Sequence, residues 1–318
     1  MRELKSNFAS EIIEYDCFRQ SMGYADTHFR YLSFFDAFCF DNYPDATSLS
    51  KDMIKGWFAD VKSKRPGTLR DSYFAINGFL RFVGAIECVL PSSYLQRKPA
   101  AKRPYLLSDE ELVAFFHALN NAKWQDPFSG RTLGTMIRLI YSSGIRPNEA
   151  RDLKTTDVDL IKGTIHIRNS KKNKERIITL AEDMQNLMIH YAQERDLFVH
   201  NSELFFSHSN GSAVTQAFLW RTVDRCWKKA NPTTQTLPQI NPYTFRHQFA
   251  STIIMKWLNE GVDILTMIPY LKAHMGHSHF ESTVYYIHLL PERLLSAKGV
   301  DWEALDAIGK DVSLWENS

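Results

Sequence analysis

Between Gln96 and Pro104 the chain reads Gln-Arg-Lys-Pro-Ala-Ala-Lys-Arg-Pro, with two prolines, four basic residues and no apolar helical period. Such a stretch neither continues a helix nor pairs in a sheet, and it reads as an extended linker. Directly after it, Ser108 and Glu111 have the three-residue spacing of a capping box at the head of an apolar-periodic segment. A chain of 318 residues interrupted in this way folds as two pieces, each near the usual domain size of about 100–200 residues. The expected division is a helical domain over residues 1–95, a basic linker over 96–105 and a second domain over 106–318.

The two sides of the linker differ in pattern. Before it, Phe29, Leu32, Phe35 and Phe38, then Met53, Ile54, Trp57 and Phe58, then Phe74, Ile76, Phe79, Leu80 and Val83 recur at helical spacing. These predict a bundle of four or five helices with the phenylalanines in its core. After the linker, helices are expected over 108–120, 130–143, 182–195, 215–229, 241–259, 263–275, 281–289 and 301–308. Thr164–Arg168 and Arg176–Leu180 read as two strands of a hairpin with residues 169–175 as its loop, and Glu203–Phe206 as a further short strand. The fold class is therefore mainly α with a small antiparallel sheet (α+β).

Composition narrows the function classes. Hydrophobic residues make up 44% and charged residues 23%, an ordinary globular balance. No run approaches the roughly 18 apolar residues of a membrane helix, and the N-terminus lacks a signal-like apolar region. Cys17, Cys39, Cys88 and Cys226 form no CxxC pair, which suits free thiols in a cytoplasmic protein. The net charge of +2 says little, but local clusters at Lys162–Arg176 and Arg221–Lys229 fit a polyanion at defined places as well as they fit a solvated face.

Five short segments could carry chemistry. Gly144-Ile-Arg146-Pro-Asn-Glu149 puts an arginine just past an apolar helix, with a glutamate three residues on that can hold its guanidinium. Alone, a surface ion pair is the simpler reading. Lys171-Lys-Asn-Lys174-Glu-Arg176 occupies the hairpin tip, where a lysine can neutralise a phosphate or donate a proton. Tyr243-Thr-Phe-Arg246-His247 lies in the first turn of a helix, with Tyr243 and Arg246 on one face. His274, His277, His279 and His288 fall within 15 residues, but their spacing matches no zinc pattern, and no metal is expected. The last segment is Thr283-Val-Tyr285-Tyr286.

Taken in order, these segments resemble the tyrosine recombinases, the phage-integrase family, and within it the bacterial Xer-type members. The family's marks fall on Arg146 with Glu149, the hairpin Lys171, Tyr243-x-x-Arg246-His247, Gly276-His277, and Tyr286 nine residues after that histidine. Two departures stand out. Tyr243 occupies a position where histidine is commonest. The 31-residue interval from Arg246 to His277 is long, with the extra length near Ile264–Ala273, a feature similar to transposon-encoded members.

The resemblance implies an N-terminal core-binding domain, a C-terminal catalytic domain, and site-specific cutting and rejoining of DNA for a mobile element. Strand exchange would pass through a 3′-phosphotyrosine without metal or nucleotide cofactor; no P-loop G-x-x-x-x-G-K-[ST] is present. The implied catalytic residues are Arg146, Lys171, Tyr243, Arg246, His277 and Tyr286, supported by Glu149 and His247. DNA contacts would come from Lys172, Lys174 and Arg176 and from Arg97, Lys98, Lys102 and Arg103 in the linker. The partner would be a double-stranded recombination site, with four subunits on two sites, alone or with partner recombinases. Gly299–Ile308 is expected to dock on a neighbouring subunit. Two other classes stay open on sequence grounds: a non-catalytic DNA-binding protein on the same scaffold, and a metal-dependent phosphohydrolase using the histidines.

Overall fold

The computed structural model describes residues 4–24, 27–64, 66–95, 104–168, 175–232 and 236–277, together with Thr283 and Tyr286. The chain divides into two compact units, Met1–Ala101 and Lys102–Ser318.

In the N-terminal unit four helices pack on one another: α1 (Ala9–Ser21), α2 (Phe29–Asn42), α3 (Lys51–Lys64) and α4 (Leu69–Phe82). Their apolar stripes meet in a core that includes Ile12, Leu32, Phe35, Trp57, Phe58 and Phe79. The expectation that the phenylalanines are core holds only in part. Phe18 and Phe74 are 47% and 48% exposed, and Phe40 and Phe82 are exposed as well. A stripe about 100° wide accommodates the 3.6-residue repeat only near its centre, and these four lie outside it.

The C-terminal unit is mainly helical with one small sheet. Its described elements are α5 (Asp109–Asn120), α6 (Pro127–Ser143), α7 (Pro147–Arg151), β1 (Val158–Asp159), β2 (Thr164–Ile167), β3 (Arg176–Thr179), α8 (Glu182–Phe198), α9 (Gln216–Ala230), α10 (Pro242–Asn259) and α11 (Ile264–Met275). The capping box forms as expected: Glu111 N donates to Ser108 Oγ at 3.2 Å and Ser108 N donates to Glu111 Oε2 at 2.9 Å. Helix α6 is central, packing against α5, α8 and α10 through fully buried Leu133, Met136, Ile137 and Ile140.

Strands β2 and β3 pair antiparallel with Ile167 opposite Arg176, and β1 extends the sheet to three strands. That third strand was not expected. The predicted strand Glu203–Phe206 is replaced by single bridges, Lys154 to Leu204 and Ser207 to Ala213. Phe205 and Phe206 are buried, so this apolar run serves the core and not a ladder. No helix among the described residues is long and apolar enough to cross a membrane. The helices expected over 281–289 and 301–308, and the segment Gly299–Ile308, lie outside the described residues.

Candidate active site

Three helix ends converge to build the site. Helix α6 stops at Gly144, whose left-handed φ of 64° turns the chain so that Arg146 follows at the head of α7. A Cβ on Gly144 would lie 2.3 Å from the Phe249 ring, so both conformation and space require glycine there. Helix α10 starts at Asn241, whose Oδ1 accepts from Tyr243 N at 2.9 Å. This start, with Pro242 at the first helical position, places Tyr243, Arg246 and His247 in the first two turns. Helix α11 ends at Gly276, also left-handed at φ 64°.

The last carbonyls of α11 have no partner within their helix, and three guanidiniums take them. Arg176 Nε donates to His274 O at 2.8 Å, Arg246 Nη2 to Met275 O at 2.7 Å, and Arg146 Nη2 to Gly276 O. The negative end of the helix dipole adds to the attraction. Arg246 is only 2% exposed and also donates to Gly144 O at 2.7 Å. Burial, opposed in part by Tyr286 and aided by the neighbouring Arg146, lowers its pKa to about 10, so it stays charged at neutral pH.

Glu149 sits between two arginines. It accepts from Arg146 Nη1 at 2.6 Å and from the Arg146 backbone at 2.8 Å. It also takes both ends of the Arg176 fork, at 3.0 and 2.7 Å. Burial alone would raise the Glu149 carboxyl, but the hydrogen bonds and charges of Arg176 and Arg146 outweigh it and hold the pKa below the usual carboxylate range.

The tautomer of His277 follows from its partners. Arginine can only donate, so the 2.9 Å contact from Arg246 Nη2 makes His277 Nε2 the acceptor. The ring proton then lies on Nδ1, which donates to Thr283 Oγ1 at 2.8 Å. Burial, with Arg246 and Arg146 nearby, lowers this histidine to about 3. Tyr286, 3% exposed, stacks on the His277 ring with centroids 5.9 Å apart. Its hydroxyl is 3.2 Å from His247 Nδ1. Burial and Arg246 lower His247 to about 4.

These shifts carry a sign. Both histidines take up protons more readily in the unfolded chain, whose ordinary value is about 6.5. Stability is therefore full above that pH and falls as pH drops toward 4. Each group steepens the loss by up to about 1.4 kcal/mol per pH unit. Chemical denaturation of the protein between pH 7 and 4 should show this slope, and His277→Gln should make it shallower; an unchanged slope would contradict the burial argument.

The structure thus brings Arg146, Glu149, Arg246, His247, His277 and Tyr286 into one cluster. Tyr243 is half-buried and lines a cleft of about 510 Å³ with Arg146, Glu149, His166 and Arg168. A second cleft, of about 940 Å³, reaches His247 from the side of Tyr105, Trp220 and Arg221. Lys171, Lys172, Lys174, Arg97, Lys98, Lys102 and Arg103 lie outside the described residues, as does Tyr285. Arg176, expected among exposed DNA-contacting cations, is instead 11% exposed in its side chain and turned onto Glu149 and His274. The signal was in the alternation: residue 176 shares a strand face with buried Ile178. His274 Nε2 contacts Ser143 O at 2.8 Å, and its ring stacks on Phe249. Among the described residues no three His, Cys, Asp or Glu side chains are grouped to hold a metal.

Comparison with known proteins extends these observations. The integrase/recombinase y4rE of Sinorhizobium fredii is 27% identical over 292 residues, 89% of this chain and 92% of its own length. The tyrosine recombinase XerC of Thermodesulfovibrio yellowstonii is 28% identical over 249 residues, covering 76% of this chain and 75% of that one. In fold, the chain is similar to the XerH site-specific recombinase crystallised with difH substrate in a pre-cleavage complex. That likeness has a TM-score of 0.62 at 20% identity, over 90% of this chain and 82% of that one. The sequence profile of the phage integrase family matches residues 106–293, the span that holds the arginine cluster and Tyr286, and the chain belongs to that family, the tyrosine recombinases of site-specific DNA recombination.

Proposed function

We propose that this protein cuts and rejoins DNA at a specific site through a 3′-phosphotyrosine, serving a mobile element, with neither metal nor ATP. The observation that carries the proposal is the convergence of two charged guanidiniums, Arg146 and Arg246, with His277 and the Tyr286 hydroxyl. A phosphodiester in its transition state gathers charge on the non-bridging oxygens, and two planar forks can hold those oxygens. Tyr286 oxygen attacks the phosphorus and its proton passes to solvent water; the bond from phosphorus to the 5′-oxygen breaks, and Lys171 supplies that oxygen with a proton. The phosphotyrosyl bond conserves the energy, so a new 5′-hydroxyl can reverse the step.

His247 Nδ1 is 3.2 Å from the Tyr286 hydroxyl, and burial with the charge of Arg246 lowers its pKa to about 4, which makes it a weak base. Its role is therefore to orient the Tyr286 hydroxyl. His277 holds Arg246 on one side and the Tyr286 ring on the other, and Tyr243 faces the phosphate from the adjoining cleft. The N-terminal helical unit is the core-binding domain, and with the basic linker and the hairpin lysines it would grip the duplex mainly through phosphates, so affinity falls steeply with salt. Four subunits on two sites would complete the exchange.

The test is covalent capture on a nicked suicide substrate made from the ends of the host element, in EDTA. An adduct is expected in EDTA at the same rate as without it. Lys171→Ala should slow capture on ordinary DNA but not on DNA with a 5′-bridging phosphorothiolate, whose sulfur leaves without a proton. EDTA-sensitive cleavage without an adduct would instead favour metal-dependent hydrolysis, and binding without any cleavage a non-catalytic DNA-binding protein.

A further inference from the structure

Arg176 is built into the site more firmly than a DNA-contacting surface cation needs to be. All three of its nitrogens are engaged: Nη1 and Nη2 on the two oxygens of Glu149, Nε on His274 O. It opens β3, at the base of the hairpin, with buried Ile167 opposite. A Cβ added to Gly276 would lie 2.8 Å from Arg176 Nη1 and 3.3 Å from Arg146 Nη1, so the two guanidiniums flank one glycine.

The charges explain why this matters. Glu149 holds Arg146 in place, but a lone carboxylate 2.6 Å from Arg146 also cancels much of the positive charge that Arg146 has to offer a phosphate. With Arg176 present, three guanidiniums face one carboxylate, and the surplus stays with Arg146 and Arg246. We propose that Arg176 is a positioning residue for strand cleavage: it neutralises Glu149 so that Glu149 orients Arg146 without cancelling it. The inference rests on the recombinase reading above, since it presupposes a phosphate at the Arg146–Arg246 pair.

The experiment compares the wild-type protein with Arg176→Ala, Arg176→Gln and Arg176→Lys. Adduct formation per bound complex is read on suicide substrates with either an ordinary scissile phosphate or a methylphosphonate, which carries one negative charge fewer. Arg176→Ala and Arg176→Gln should slow cleavage of the phosphodiester about 100-fold at unchanged DNA affinity. Their deficit relative to wild type should shrink about tenfold on the methylphosphonate, because less charge needs stabilising there. Arg176→Lys, which keeps the charge, should retain most of the rate.

Arg176→Gln can still hydrogen-bond Glu149, so it tests charge even if Arg176→Ala fails to fold. Equal deficits on both substrates would show a merely structural role and overturn the inference, as would wild-type behaviour of Arg176→Gln. Rescue by a 5′-bridging phosphorothiolate would place Arg176 on the leaving-group side with Lys171 and also overturn it. If the wild-type protein forms no adduct on the phosphodiester, the recombinase reading falls and this inference with it; an active wild type with variants that behave otherwise than stated defeats this inference alone.

Discussion

Arg246→Lys should reduce strand cleavage about 10²–10³-fold while leaving the protein folded and bound to its site. Lysine keeps a positive charge but loses the planar fork. It cannot hold Gly144 O, Met275 O and His277 Nε2 together as Arg246 does and still present N–H groups to a phosphate. Alanine is the poorer probe at this position, because it would leave two buried carbonyls without donors, at about 1–3 kcal/mol each. Arg146→Lys should behave similarly. Its side chain, 19% exposed, is the more accessible of the two. Affinity should barely change, because one phosphate among many is affected. Rapid-quench cleavage with saturating protein checks this; a large loss of binding at constant salt with cleavage per complex intact would make these arginines DNA-positioning residues instead.

Glu149→Ala should be the most destabilising single substitution in the site. It removes the acceptor of four hydrogen bonds from Arg146 and Arg176 and leaves two guanidiniums of low exposure facing each other without a counter-charge. Breaking a buried pair from one side costs about 3–5 kcal/mol. A domain of this size then melts several degrees lower. The acid limb should change too. The depressed carboxyl contributes stability that is present above the ordinary carboxylate range and is lost as pH falls through its folded value. Glu149→Ala should therefore flatten the stability profile at the acid end, after allowing for the histidines. Denaturant melts of wild type and variant at several pH values read both effects, and a variant of wild-type stability would contradict the shared-carboxylate geometry.

What could be read from the sequence, and what could not, divides by the range of the interaction. The starts of α5 and α10 were visible because Ser108, Glu111, Asn241 and Pro242 act within one helical turn. The β2–β3 hairpin was visible because alternation and a loop signal are local. Arg146, Arg246, His277 and Tyr286 could be named through their resemblance to a family, yet nothing local states that they meet. Arg246 and His277 are 31 residues apart in sequence, and Arg146 and Gly276 are 130 apart.

The part played by α11 was hidden for a different reason. It holds three arginines with backbone carbonyls at His274, Met275 and Gly276, and carbonyls have no residue signature. Arg176 was hidden by its neighbours: within a run of lysines it reads as one more exposed cation, and only the strand face it shares with Ile178 points inward. The run Glu203–Phe206 failed as a strand because a short apolar segment marks burial without saying whether a ladder partner is available.

The proposed nucleophile is one atom, the Tyr286 hydroxyl oxygen. Tyr285 is its neighbour in sequence and lies outside the described residues. Tyr286 is stacked on His277, and its hydroxyl is within reach of His247. The direct measurement is covalent capture on a nicked suicide substrate, followed by peptide mapping of the DNA-linked residue in wild type, Tyr286→Phe and Tyr285→Phe. The expected result is a linkage at Tyr286, its loss in Tyr286→Phe at undiminished DNA binding, and its persistence in Tyr285→Phe. A linkage at Tyr285, or an adduct that survives Tyr286→Phe, would contradict the account.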